Sequence, residues 1–129
     1  MVGIVIVSHS SKAAEGIREI AAEMGIPGQP IVAAGGNEND SIGIDLDKVE
    51  AAIEKADNND GIILFVDLGG AIICADMIKA NKKINKRRVY IADAPILEGA
   101  VIATVEASLG STVEKVLEVA AQVKNMPKV

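Results

Sequence analysis

The sequence predicts an α/β fold, with an open and mainly parallel sheet of about four strands and helices on both faces. Short apolar segments rich in β-branched residues alternate with longer segments of helical periodicity, which is the pattern of repeated βαβ units. The apolar segments are continuous rather than alternating, as in strands covered on both sides. We expect the common strand order 2-1-3-4. With 129 residues, 50% of them hydrophobic, the chain is expected to form a single domain, residues 1–129.

Four apolar segments are expected to form the strands. Each is followed directly by a Ser, Gly or Asp residue, and these residue types favour the turns and caps at which strands end. The predicted strands are Val2–Val7, Pro30–Ala34, Ile62–Val66 and Arg88–Ala92.

The segments between and after the strands are predicted to be helices. In the first, Ile17, Ile20, Ala21 and Met24 recur at helical spacing and are expected to face the core. At the last, Ser111 is expected to be the N-cap, with Glu114 completing a capping box. The basic run Lys82–Arg87 is predicted to be a solvated connector at the amino end of the sheet. The predicted helices are Ala13–Met24, Asp45–Ala56, a helix that follows Gly70 and runs to about Asn81, a helix from Pro95 to near Gly110, and Thr112–Lys124.

Composition excludes several classes of protein. The net charge of −5, with one Phe, one Tyr and no Trp, argues against a nucleic-acid binder. One His and one Cys are too few for a transition-metal site, so no metal is expected. A lone Cys forms no intrachain disulfide, which suits a cytoplasmic location. The longest apolar runs are too short for membrane insertion, and there is no P-loop or dinucleotide-binding glycine motif.

The candidate site lies at the carboxyl ends of the strands, where open α/β sheets bind ligands. In the order 2-1-3-4 the ends of the first and third strands are neighbours, which places His9 beside Asp67. His9 also stands directly before a helix, whose N-terminal N–H groups attract anions. Ser10 and Ser11 could add hydroxyl donors. This arrangement is typical of phosphoryl transfer through a phosphohistidine.

Other polar residues at these strand ends have two interpretations each. Asp67 could orient the imidazole of His9, or it could be the N-cap of the following helix. Gly69 and Gly70 could let the backbone approach a phosphate, or they could form a tight turn. The loop Gly35–Gly43 could be a mobile surface loop or a lid over His9, in which case Ser41 and backbone N–H groups would contact phosphate.

Three motifs at strand ends carry a resemblance to a known family. The chain resembles the mannose-type EIIA family of the phosphoenolpyruvate:sugar phosphotransferase system (PTS). Within that family it is most similar to the subunits that serve PTS-dependent dihydroxyacetone kinases. The motifs are Ile4-Val5-Ile6-Val7-Ser8-His9-Ser10, Asp67-Leu68-Gly69 and Ala94-Pro95-Ile96-Leu97-Glu98-Gly99-Ala100.

The resemblance implies a complete phosphoryl-transfer sequence. His9 would accept a phosphoryl group from the phosphohistidine of HPr on its Nε2, with Asp67 as the adjacent carboxylate. The group would pass to ADP held by the DhaL subunit, and the ATP formed would phosphorylate dihydroxyacetone on the DhaK subunit. The phosphohistidine is covalent, so no cofactor is expected, and the family implies a homodimer.

Two departures from the family pattern modify these expectations. Gly70 stands where related subunits often have Ser, which removes a hydroxyl contact to phosphate. The sequence has no HPr-like or enzyme I-like segment, so a separate HPr is expected to supply the phosphoryl group.

Two other functions are compatible with the sequence. One is an EIIA domain of a mannose-type sugar transporter, which has the same His9 chemistry and donates to EIIB. The other is a flavodoxin-like binding module without histidine chemistry. A receiver domain of that kind would have paired acids after the first strand, where this chain has Ser8-His9.

Overall fold

Four parallel strands form one sheet in the computed structural model, which describes residues 1–129 apart from the side chain of Asn85. The strands are β1 (Gly3–Ser8), β2 (Ile31–Gly35), β3 (Ile62–Val66) and β4 (Val89–Ile91). Their order is β2-β1-β3-β4, and all neighbours are parallel. This confirms the predicted α/β class and the predicted order 2-1-3-4.

Helices connect the strands and follow the last of them. Each predicted helix is present, with ends that differ by at most two residues from those expected. The helices are α1 (Ser11–Glu23), α2 (Leu46–Ala56), α3 (Gly70–Ala80), α4 (Lys82–Asn85), α5 (Ile96–Ser108) and α6 (Val113–Gln122), followed by a 3₁₀ turn (Val123–Asn125).

The sheet divides the core into two layers, because successive strand residues point to opposite faces. On one face, Ile4 and Ile6 of β1 and Phe65 of β3 pack with α1, α5 and α6. On the other face, Val5 and Val7 pack with α2, α3 and α4. The strands are therefore covered on both sides, which explains why they are apolar throughout.

The inward face of α1 differs from the prediction. Ala14 and Ala21 are fully buried, whereas Ile20 and Met24 are about half exposed. The buried alanines share a core cluster with three alanines of α5, and such small side chains let two helices approach closely. Ile20 and Met24 lie on a neighbouring stripe of the helix and were wrongly assigned to the core.

The start of α6 also differs from the prediction. Thr112 is the N-cap, and its hydroxyl accepts a hydrogen bond from the backbone N–H of Lys115 at 3.2 Å. Ser111 instead donates to Glu106 at 2.7 Å, and Glu114 pairs with Arg88. The predicted capping box of Ser111 and Glu114 is therefore wrong. The Ser111 hydroxyl bonds to Glu106, and the hydroxyl of the adjacent Thr112 caps the helix instead.

The basic connector is more structured than expected. It contains the single turn α4, and Ile84 within it is buried in the core beside α3. The lysines around Ile84 are exposed. The prediction of a purely solvated connector was therefore wrong for this one apolar residue.

Candidate functional site

His9 and Asp67 meet at the carboxyl end of the sheet, because β1 and β3 are adjacent there. The pairing of β1 with β3 ends at Val7 and Val66, so the residues that follow the two strands lie next to each other. The backbone N–H of Asp67 still bonds to the carbonyl of Val7 at 3.1 Å. His9 Nδ1 lies 2.8 Å from Asp67 Oδ1, which is hydrogen-bond distance.

Both oxygens of the Asp67 carboxylate accept hydrogen bonds. While Oδ1 faces the imidazole, Oδ2 accepts hydrogen bonds from the backbone N–H of His9 at 2.9 Å and from the hydroxyl of Ser8 at 2.8 Å. The N-cap of α3 is Gly69, which makes no side-chain cap bond. Asp67 is therefore not the helix cap that one interpretation of the sequence predicted.

The hydrogen bonds keep Asp67 ionised. Burial raises the pKa of its carboxyl, but the bonds from the His9 backbone, the Ser8 hydroxyl and the His9 ring outweigh that effect and lower the pKa below its ordinary value. Because the folded-state pKa is depressed, the stabilisation from these bonds is fully present above the ordinary carboxyl pKa. It is lost as the pH falls through the lower, folded-state pKa.

The ionised carboxylate determines which ring nitrogen of neutral His9 carries the proton. A carboxylate only accepts hydrogen bonds, so Nδ1 must be the donor. Nε2 then keeps its lone pair. The imidazole is 38% exposed, so a reacting partner can reach it from solvent. The arrangement can present Nε2 as a nucleophile and stabilise a charged ring during reaction.

Ser10 and Ser11, the two predicted hydroxyl donors, lie in different surroundings. Ser10 is the N-cap of α1, and its hydroxyl accepts a hydrogen bond from the N–H of Ala13 at 3.1 Å, so the hydroxyl proton is still free to donate. Ser11 lines a cleft of about 350 Å³ along β2, together with Glu15 and Lys48. Within the part of the chain that the structure describes, no side-chain hydrogen bond joins Ser11 to His9 or Asp67.

Different structural features explain why glycine stands at positions 69 and 70. Gly69 has a left-handed backbone with φ of 73° and forms the turn into α3. A Cβ at Gly70 would lie 2.5 Å from Val66 Cγ1 and 2.7 Å from Ile44 Cδ1, so a side chain would force those residues to move. Turn formation and packing therefore account for both glycines, and phosphate contact by their backbone stays a prediction.

The loop between β2 and α2 is anchored beside His9. The N–H of Gly36 bonds to the carbonyl of Ser8 at 3.1 Å, and the N–H of Gly43 bonds to the carbonyl of His9 at 2.9 Å. Within the loop, the backbone of Ser41 bonds to Asn37 in both directions. The Ser41 side chain is exposed, and its predicted contact with phosphate is untested by this geometry.

Exposed apolar side chains lie on the segments next to His9 and Asp67, and no role for them was predicted from the sequence. Ile42 precedes the glycine that bonds to His9, Leu68 follows Asp67, and Ile72 and Ile73 lie in the first turn of α3. Their exposed fractions are 75%, 89%, 76% and 48% respectively. We call these four residues the apolar rim. Isoleucines next to glycine-rich loops could have indicated it.

The remaining candidate groups are separate from the site. Cys74 lies on α3 and is buried in the core, and burial raises the pKa of its thiol. Across the described residues, His, Cys, Asp and Glu side chains form no group of three or more that could hold a metal ion. None of the described helices is long and apolar enough to cross a membrane.

Comparison with known proteins finds a family model and several relatives that match this chain. The family model EIIA-man, described as PTS system fructose IIA component, matches residues 3–117. A Lactococcus lactis relative, PTS-dependent dihydroxyacetone kinase phosphotransferase subunit DhaM, is 34% identical over 116 residues, which are 90% of each chain. A Providencia stuartii relative is 36% identical over 129 residues and is named as the phosphoryl donor subunit DhaM of PEP-dependent dihydroxyacetone kinase.

The relatives differ in length, and the solved structures share the fold. The alignment covers 95% of this chain but only 26% of the Providencia protein. The crystal structure of a protein of unknown function, EF1359, has a TM-score of 0.79 and 28% identity over 94% of this chain and 93% of its own. A sigma-54 interaction domain protein from Enterococcus faecalis, 17% identical with a TM-score of 0.67, supports the fold alone.

Proposed function

Because this chain belongs to the mannose-type EIIA family of the PTS, we propose that it is a phosphoryl carrier whose His9 is phosphorylated and dephosphorylated in turn. The observation that carries this proposal is the 2.8 Å contact between His9 Nδ1 and Asp67 Oδ1. That contact fixes the proton on Nδ1 and leaves Nε2 as the nucleophile. The lone His of the chain thus has the orientation that phosphoryl transfer needs.

The transfer conserves atoms and charge without a metal held by this chain. The Nε2 lone pair attacks the phosphorus of a phosphohistidine on the donor, and a new N–P bond forms as the donor N–P bond breaks. The bonding electrons return to the donor imidazole. The Nδ1 proton stays between His9 and Asp67, and the carboxylate stabilises the positive charge that develops on the ring.

We propose the donor and acceptor from the family that the sequence resembles. HPr, a phosphohistidine protein, would supply the phosphoryl group. The acceptor would be ADP held by DhaL, whose terminal phosphate oxygen attacks the phosphorus as the Nε2–P bond breaks, and the ATP formed would phosphorylate dihydroxyacetone on DhaK. The name of the Lactococcus relative supports this branch over the sugar transporters. We place the protein in the cytoplasm with these partners and propose a homodimer, as the family implies.

The acceptor is the part of the proposal that one experiment can decide. We expect the phosphorylated protein to lose its phosphate rapidly to DhaL loaded with ADP, and slowly to free ADP or to EIIB. The reason is that this chain has no nucleotide-binding motif, so a partner must hold and orient ADP against Nε2. Rapid-quench measurement of phosphate loss with each acceptor gives the rates. Fast transfer to EIIB with DhaL inert would instead make the protein a sugar-transporter EIIA domain.

The apolar rim supports a protein, rather than a small molecule, as the reaction partner. Its isoleucines and leucine lie on the two loops and the helix turn that flank His9, and apolar side chains so exposed are typical of sites that a partner covers. A protein that brings its own phosphohistidine to Nε2 must cover this surface. The rim would thus contribute affinity, while His9 and Asp67 carry out the chemistry.

Leu68→Asp is expected to raise the KM for the phosphorylated donor about tenfold or more, because it puts a charge into the apolar rim. Since Leu68 is 89% exposed, the melting temperature should change little. The matched control is Leu109→Asp, which changes a leucine that is 75% exposed after α5. Steady-state transfer kinetics with purified donor measure both variants. Equal KM values for the two variants would show that the rim is not the docking surface.

A further inference from the structure

Among the side chains that the structure describes, Ser8 is the one buried polar group that touches the candidate site. It ends β1 and is only 3% exposed. Its hydroxyl donates to Asp67 Oδ2 at 2.8 Å and accepts a hydrogen bond from the backbone N–H of Ser10 at 3.1 Å. Both bonds are local to the site, so the hydroxyl contributes to it rather than to the core.

The two bonds fix the direction in which the hydroxyl points. A serine hydroxyl has one proton, and the N–H of Ser10 can only donate. The proton of Ser8 must therefore point at the carboxylate of Asp67. The result is a chain of donors in one direction, from the Ser10 N–H to Ser8 and from Ser8 to Asp67.

The carboxylate needs this support to face the ring correctly. Oδ2 is held by Ser8 and by the backbone N–H of His9, and this leaves Oδ1 in line with His9 Nδ1. Without the hydroxyl, a single backbone N–H would hold Oδ2, and the carboxylate could rotate about its Cβ–Cγ bond. The proton on Nδ1 and the lone pair on Nε2 would then be less firmly defined.

We propose that Ser8 is a positioning residue for phosphoryl transfer, which holds the Asp67 carboxylate so that His9 presents Nε2 to the phosphorus. This inference rests on the proposed function and adds a residue to it. Ser8 does not touch the phosphoryl group, and it acts through Asp67. The lowered pKa of Asp67, to which the Ser8 bond contributes, agrees with this role.

Ser8→Ala is expected to slow transfer to His9 by about tenfold, which is the equivalent of one hydrogen bond to a charged group. Ser8→Thr keeps the hydroxyl and should restore the rate to within about threefold, a margin within which hydrogen-bond contributions ordinarily vary. The matched control is Thr104→Val, which deletes the other buried hydroxyl of the described residues, one that bonds to Ala100 within α5. Thr104→Val should transfer at the wild-type rate.

Two readouts separate positioning from a loss of stability. In Ser8→Ala the Asp67 carboxyl pKa should rise, so the acid limb of the transfer rate should move to higher pH. Nitrogen-15 NMR of the unphosphorylated His9 ring should show a smaller fraction of the tautomer with its proton on Nδ1. A thermal shift shared with Thr104→Val, with no change in tautomer or pH profile, would overturn the proposal.

The NMR measurement also separates this inference from the proposed function. If wild-type protein takes up no phosphate from phosphorylated HPr, the proposed function fails, but the tautomer of His9 in Ser8→Ala still decides whether Ser8 positions Asp67. If wild-type protein is phosphorylated and Ser8→Ala matches its rate and its tautomer, only the role of Ser8 is overturned.

Discussion

His9→Ala is expected to abolish phosphorylation by phosphoenolpyruvate, enzyme I and HPr completely. The chain has a single His, and its Nδ1 faces Asp67, so Nε2 is the ring nitrogen that keeps its lone pair. Of the groups beside His9, the Ser10 hydroxyl caps a helix and Asp67 is held by three hydrogen bonds. Labelling with radioactive phosphoenolpyruvate, followed by an acid-lability test, measures the effect.

The fold should survive this substitution. The imidazole is 38% exposed and packs in no core cluster, so the melting temperature should fall only slightly. Circular dichroism on the same sample provides the control. Acid-labile phosphate that persists in a folded His9→Ala protein would place the phosphoryl group elsewhere and would contradict the mechanism.

Asp67→Asn is expected to slow phosphoryl transfer by roughly a hundred- to ten-thousand-fold. The amide oxygen can still accept from Ser8 and the His9 backbone, and the amide NH₂ then faces Nδ1. An NH₂ group donates, so Nδ1 must become the acceptor and the ring proton moves to Nε2, which blocks the nucleophile. Rapid-quench kinetics measure the rate, and thermal unfolding should show a small change.

Asp93→Asn is the matched control for this variant. Asp93 also follows a strand at the carboxyl end of the sheet, but its carboxylate pairs with Lys124 and is 87% exposed. We expect a wild-type transfer rate for it. Equal rates in the two variants would mean that the Asp67 carboxylate does not orient His9, while a loss of stability in Asp67→Asn without a rate effect would leave it a purely structural role.

The sheet was predictable because its strands are short, continuous and apolar, and because each predicted segment is followed by Ser, Gly or Asp. Strand order then follows from the usual topology of such sheets. Helix faces were harder to predict where small residues decide the packing. Helical spacing placed Ala21 correctly on the inward face of α1, but it also placed Ile20 and Met24 there, whereas close contact with α5 buries Ala14. Side-chain size at a helix contact depends on the partner helix, which local periodicity does not contain.

The candidate site was predictable in its centre and not in its surroundings. His9 and Asp67 were placed together by strand order alone, but the choice between a capping and an orienting carboxylate required coordinates. The role of Ser8 could not be predicted from the sequence. It depends on the direction of one hydroxyl proton, between Asp67 at 2.8 Å and the backbone N–H of Ser10 at 3.1 Å. The apolar rim was likewise missed, because exposure of an isoleucine is a property of the folded chain.

The most direct test of the account is to locate the phosphate on the phosphorylated protein. Two-dimensional NMR of nitrogen-15-labelled protein, treated with phosphoenolpyruvate, enzyme I and HPr, distinguishes the two ring nitrogens of His9. We expect phosphate on Nε2, with Nδ1 still protonated and hydrogen-bonded to Asp67. Phosphate on Nδ1, or on any residue other than His9, would contradict it.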